Sequence, residues 1–132
     1  MHKVVIDTNV VISAALSDKG NPSKIINLVL DKLLYTFYNS AIVDEYMGVL
    51  SRPHFNISFE KKQYLIDGIK MAGSLSTPSI SNIPLPDESD RIFYDLAKEV
   101  GAILITGNAK HYPVEKFVMT PSEFLRFYEE EK

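Results

Sequence analysis

The stretch Lys3-Val4-Val5-Ile6-Asp7-Thr8-Asn9 decides the fold. Its first four residues form a short β-branched run without polar alternation, which suits a strand buried on both faces. Asp7-Thr8-Asn9 breaks the run, and Val10 to Leu16 reads as a first helix. Ala102-Ile103-Leu104-Ile105 repeats the pattern further on and is the clearest buried strand of the chain. A strand buried on both faces needs helices on both sides, so these two runs call for a parallel α/β sheet.

The remaining elements fill that frame. A loop from Asp18 to Pro22 leads to a helix over Ser23–Leu33, followed by a strand at Tyr35–Tyr38. Ser40 is expected to cap a helix from Ala41 to about Leu50, ending near Arg52-Pro53. Ser58 opens a helix to about Ala72, which Gly73 is expected to stop. Ser74 to Pro86 contains three prolines and four serines and reads as a loop with a short edge strand near Ser79-Ile80. Asp87 to Val100 is amphipathic and closes at Gly101. After the Ala102–Ile105 strand come a loop from Thr106 to Pro113, a strand at Lys116–Met119 and a final helix over Pro121–Glu131, with Thr120 as its cap.

At 132 residues, the chain fits one domain, here taken as residues 1–132. Its 45% hydrophobic and 23% charged residues are ordinary for a globular protein. There is no cysteine, which excludes disulfides, thiolate zinc sites, iron–sulfur clusters and cysteine nucleophiles. The apolar runs are too short to span a membrane and no signal region opens the chain, so a cytoplasmic protein is expected. Fourteen basic against seventeen acidic residues leave a net charge of −3. The overall field therefore does not attract nucleic acid, and a nucleic-acid enzyme would need a local basic surface or divalent cations.

In open parallel sheets, ligands bind beyond the carboxyl ends of the strands, where chain order reverses. Asp7 and Asn9 follow the first strand, Thr106, Asn108 and His111 follow the later one, and Asp87 and Asp90 open a helix at the same edge. Helical phase places Asp90 beside the Phe93–Ala97 apolar stripe and Glu45 beside Val49, whereas Asp44, Glu88, Asp95 and Glu99 are expected in solvent. Each residue alone has an ordinary explanation. Asp7 and Asp87 read as helix caps, Glu45 as a boundary salt-bridge residue, Asn108 beside Gly107 as turn chemistry, and His111 as a loop residue. Together, several acids converging on one crevice repel one another unless a cation joins them. Oxygen-only ligands suit Mg²⁺ or Mn²⁺, and such an ion supports hydrolysis of a phosphate ester.

The chain resembles the PIN-domain family over essentially its whole length. Val4-Val5-Ile6-Asp7-Thr8-Asn9-Val10 is similar to the first motif, Ile42-Val43-Asp44-Glu45-Tyr46 with Val49-Leu50 to the second, Asp87-Glu88-Ser89-Asp90 with Leu96-Ala97 to the third, and Leu104-Ile105-Thr106-Gly107-Asn108 with His111-Tyr112 to the fourth. The resemblance implies a five-stranded parallel sheet of order 3-2-1-4-5, with helices on both faces, and Mg²⁺- or Mn²⁺-dependent ribonuclease activity. It further implies kinship with VapC-like toxins, which are inhibited by a cognate antitoxin and often dimeric. Asp7, Glu45 and Asp90 match the acidic cluster, with Asp87 an additional acid able to share or replace the role of Asp90. Asn9 and Thr106 match supporting positions. Asn108 stands where many members carry aspartate, which favours one firmly held cation over two. The rival reading is a catalytically weak or inactive nucleic-acid-binding or regulatory protein on the same fold. A haloacid-type phosphatase would want a second acid two residues after Asp7, where this chain has Asn9.

Overall fold

In a computed structural model, residues 1–131 are described. Five strands pair in parallel in the order β3-β2-β1-β4-β5, where β1 is Lys3–Ile6, β2 Tyr35–Tyr38, β3 Gly73–Leu75, β4 Ile103–Ile105 and β5 Val118–Met119. Six α-helices connect and follow them: α1 Thr8–Leu16, α2 Asn21–Leu30, α3 Ser40–Leu50, α4 Phe59–Met71, α5 Arg91–Val100 and α6 Pro121–Glu131. Val4, Val5 and Ile6 are all buried, and since their side chains alternate between faces, both sides of β1 are covered. None of the helices among the described residues is long and apolar enough to cross a membrane.

β1 is central, with Val4 opposite Thr36 of β2 and Ile103 of β4. The chain leaves β1 toward β2 and β3, then returns across the sheet to β4 and β5. Chain order therefore reverses between β1 and β4, and the crevice of such a sheet opens beyond the carboxyl ends of these two strands.

Several element ends differ from the sequence expectation, each for a local reason. α1 starts two residues early because Asp7 caps it, accepting from the Thr8 N–H. Asn39, not Ser40, caps α3 by accepting from the Ile42 N–H. α2 begins at Asn21 with Pro22 in its first turn, where a missing N–H costs nothing. The Asp87 region is a 3₁₀ turn over Glu88–Asp90 before α5 proper. α6, by contrast, spans Pro121–Glu131 as expected and is opened by a reciprocal cap, with Thr120 and Glu123 each accepting the other's backbone N–H.

The edge strand lies at Gly73–Leu75 rather than near Ser79-Ile80, and Gly73 does not stop α4 in a left-handed cap. Instead it starts β3, where a Cβ would fall 1.7 Å from the Thr36 carbonyl oxygen of β2. Backbone cannot yield as a flexible side chain can, so Gly73→Ala is expected to destabilise the protein by roughly 2–3 kcal/mol. Gly48 on the exposed side of α3 has open space around a Cβ, and Gly48→Ala is expected to stabilise by about 0.5–1 kcal/mol. Urea denaturation of both variants checks this contrast.

Asp95 is a clear correction. Helical phase put it in solvent, yet it is only 4% exposed. The segment after β3 folds over that side of α5, and Asp95 accepts from the Ser81 N–H at 2.9 Å and the Ser81 hydroxyl at 2.6 Å. Arg91 completes the attachment by donating to the carbonyls of Ser81 and Ile83 and to the Glu88 carboxylate.

Candidate active site

Asp7 sits immediately beyond β1 and is 5% exposed. Its Oδ1 accepts the Thr8 N–H at 2.7 Å. Its Oδ2 accepts the Thr106 hydroxyl at 2.8 Å, the Tyr112 hydroxyl at 2.9 Å and the Asn9 side-chain amide at 3.3 Å. Four donors thus converge on one carboxylate and fix its orientation. Asn9 turns its carbonyl oxygen to the Gly107 N–H at 2.7 Å, stitching the start of α1 to the loop after β4. The Thr106 hydroxyl also accepts from the Asn108 N–H and from Asn9.

Two buried phenols support this arrangement. Tyr46 of α3 is fully buried and donates to the Ile6 carbonyl at the end of β1. Burial, with the Asp7 charge second, pushes its ionisation far above the ordinary tyrosine range, and Tyr112 is shifted the same way by the same causes. Both therefore remain neutral donors. Their roles were not evident from spacing. The only local signal for Tyr112 was an aromatic residue held in a loop just before Pro113.

Asp90 stands opposite in chemistry. Its side chain is 17% exposed, and Oδ2 is buried with no hydrogen-bond partner among the described residues. Burial is the largest cause raising its proton affinity, followed by the charges of Asp7 and Asp87, with a lesser push from Glu45, and the carboxyl rises to about 6. His111 partly offsets this; its Nδ1 lies 3.9 Å from Asp90 Oδ2, beyond hydrogen-bond range. Asp87 is occupied elsewhere, since its Oδ1 accepts both the N–H and the hydroxyl of Ser89, and those bonds hold its carboxyl below the usual range.

The structure therefore brings Asp7, Asn9 and Thr106 into one hydrogen-bonded cluster, with Asp90 in electrostatic reach of it. Glu45 lies on the exposed side of α3, not at the core boundary that helical phase gave it, and it reaches Asp90 only through its field. Asn108 is exposed, and its side chain makes no hydrogen bond among the described residues. Among the described residues, no three His, Cys, Asp or Glu side chains stand close enough together to hold an ion. Two carboxylates do fit a hard divalent cation, which commonly uses one or two such ligands and completes its shell with water and substrate phosphate. The unpartnered Oδ2 of Asp90 carries that fit, because a buried acceptor without a donor is costly until a proton or cation reaches it.

The PIN domain family matches residues 3–110, and the chain belongs to it. PIN domains are in general nucleases, bind nucleic acid and typically use divalent metals. The chain is also 28% identical to the uncharacterized protein MJ1680 of Methanocaldococcus jannaschii, over 96% of this chain and 92% of that protein. No solved structure matches it.

Proposed function

We propose that the chain is a single-domain, metal-dependent endoribonuclease and the toxin of a VapC-like toxin–antitoxin pair. The observation that carries this reading is the buried, unpartnered oxygen of Asp90 beside the fully hydrogen-bonded Asp7 at the reversal point of the sheet. A Mg²⁺ or Mn²⁺ ion, when bound, supplies positive charge that acidifies a water and offsets charge on the phosphate. Asp7 and Asp90 would hold it. Thr106, Tyr112 and the Thr8 N–H hold the Asp7 carboxylate in place, while Asn9 ties the two strand ends together. Glu45, projecting from α3, acts through water, and Asn108 orients the attacking water or completes the shell. Hydrolysis adds water across one phosphodiester, leaving a 5′-phosphate on one fragment and a 3′-hydroxyl on the other. A cognate antitoxin, a homodimer and a cytoplasmic location belong to the same reading.

The test is cleavage of end-labelled RNA with Mg²⁺ or Mn²⁺, with chelator as control. Chelator-sensitive cleavage giving those termini is expected, and activity that survives full chelation overturns the metal-dependent reading. Asn108 favours a second reading, a nucleic-acid-binding protein of little activity, since it offers a neutral amide where a carboxylate would strengthen cation binding. Tight RNA binding without cleavage in Mn²⁺ would select it.

The same residue yields a prediction. Asn108→Asp is expected to tighten Mg²⁺ binding about tenfold through an added charged oxygen. It should also lower the metal-free melting temperature, because another acid joins Asp7 and Asp90. Calorimetric titration and thermal melts check the pair. If neither moves while the fold is intact, residue 108 does not face the cation.

A further inference from the structure

A cavity of about 330 Å³ opens between the first turn of α3, the segment after β3 and the start of α5. It lies at the carboxyl end of β2, one strand over from Asp7. The β1–β2 register, Lys3 with Tyr35 and Val4 with Thr36, extends to set Asp7 against Asn39, which lines the cavity. Adjacent strands are about 4.8 Å apart. Glu88 and Arg91, which flank Asp90 in sequence, also line it, and Ala41 in its wall is one helical turn before Glu45. The cavity thus neighbours the carboxylate crevice along the same edge of the sheet.

Its chemistry selects the occupant. Arg91 is the sole cation among the lining residues, against Glu88 and Asp95. Its N–H edges are committed to Glu88, Ser81 and Ile83. A phosphate would find one neutralised guanidinium and two carboxylates, so an anion is rejected. What remains is apolar wall from Pro78, Ile80 and Ile92, the Arg91 side chain with its N–H groups already engaged, and the backbone N–H groups of Ser40 and Ala41 at the start of α3. Ile80 is 83% exposed, an apolar side chain left at the mouth. The volume is at the small-ligand end of the usual range. A neutral, flat heterocycle with hydrogen-bonding edges meets all of these conditions, and unstacked RNA bases are bound on such surfaces.

We propose that this cavity is a nucleobase subsite, which holds the base of a nucleotide flanking the scissile phosphate and so sets the cleavage preference. This rests on the nuclease reading above, and the experiment separates the two. The full chain with labelled isoleucine methyls is titrated with adenosine, cytidine and uridine, and separately with inorganic phosphate. The methyls of Ile80 and Ile92 are expected to shift with at least one nucleoside and not with phosphate. Ala41→Leu, at an exposed helix position that tolerates leucine, fills the cavity and should abolish the shifts. On RNA it should raise KM about tenfold, the scale of one lost stacked base, with kcat within about twofold. Ile80→Ala should weaken nucleoside binding in the same direction.

If wild type cleaves RNA but no nucleoside moves these methyls, the subsite is overturned. The same holds if phosphate alone moves them, or if Ala41→Leu binds and cleaves as wild type does. Nucleoside shifts in a protein that cleaves no RNA would instead uphold the cavity and refute the nuclease reading.

Discussion

Asp7→Asn is expected to lower RNA cleavage by about 10³-fold and to destabilise the protein at the same time. The first effect follows from losing half of the carboxylate pair proposed to hold the cation. The second follows from the donors around it. An amide keeps one accepting oxygen and replaces the other with N–H₂, which must face the hydroxyls of Thr106 and Tyr112 or the Thr8 N–H. Leaving a buried donor unpaired costs about 1–3 kcal/mol. Removing the Asp7 charge also relieves Asp90, but that screened repulsion is worth only about 1 kcal/mol and does not cancel the orphaned donors. Single-turnover cleavage and urea denaturation, both on the same preparation, check the two halves. Cleavage within about threefold of wild type would remove Asp7 from the machinery.

Asp90→Asn should be equally damaging to cleavage but of opposite sign for stability without metal. The Asp90 carboxyl has an ordinary value of 3.8 and a folded value of about 6. An acid raised in this way stabilises the fold relative to its ionised state while protonated, and that contribution is lost as pH rises from 3.8 through about 6. At neutral pH, the metal-free protein carries the full penalty, on the order of 1 kcal/mol once solvent screening is allowed for. The variant has no charge to bury there, so its melting temperature in chelator should exceed that of wild type at about pH 8, and the difference should shrink toward about pH 5. Mn²⁺ should raise the melting temperature of wild type and leave the variant almost unmoved. A metal-free variant less stable than wild type at both pH values would show that Oδ2 has a partner in solution.

The strands were legible because Val4–Ile6 and Ala102–Ile105 are contiguous β-branched and aliphatic runs, a pattern few other elements satisfy. The strand order came through the four motifs, since nothing in the residues of one strand names its neighbours. Caps were misread where two capable residues are adjacent: both Asn39 and Ser40 can accept a backbone N–H, and only the backbone conformation decides that Asn39 does. Asp95 shows a deeper limit. Helical phase describes a helix against one core face, and it has no means to see the segment after β3 laid over the opposite side. Gly73 was read by the helix it follows rather than by the strand it begins, where Thr36 leaves no room for a side chain. The hydroxyl of Tyr112 reaches Asp7 from 105 residues away, a pairing that no local pattern encodes.

That separation orders events during synthesis. Asp7 is made first, and Thr106 and Tyr112 follow 99 and 105 residues later. At elongation rates of about 5–20 residues per second, the interval is on the order of 5–20 s. During it, β1 can pair with β2, but its β4 edge stays open and the Asp7 carboxylate lacks the two hydroxyls that hold it. A chain interrupted before residue 106 has the first acid and none of its later donors. Assembly of the carboxylate cluster therefore waits until Thr106 and Tyr112 have been made.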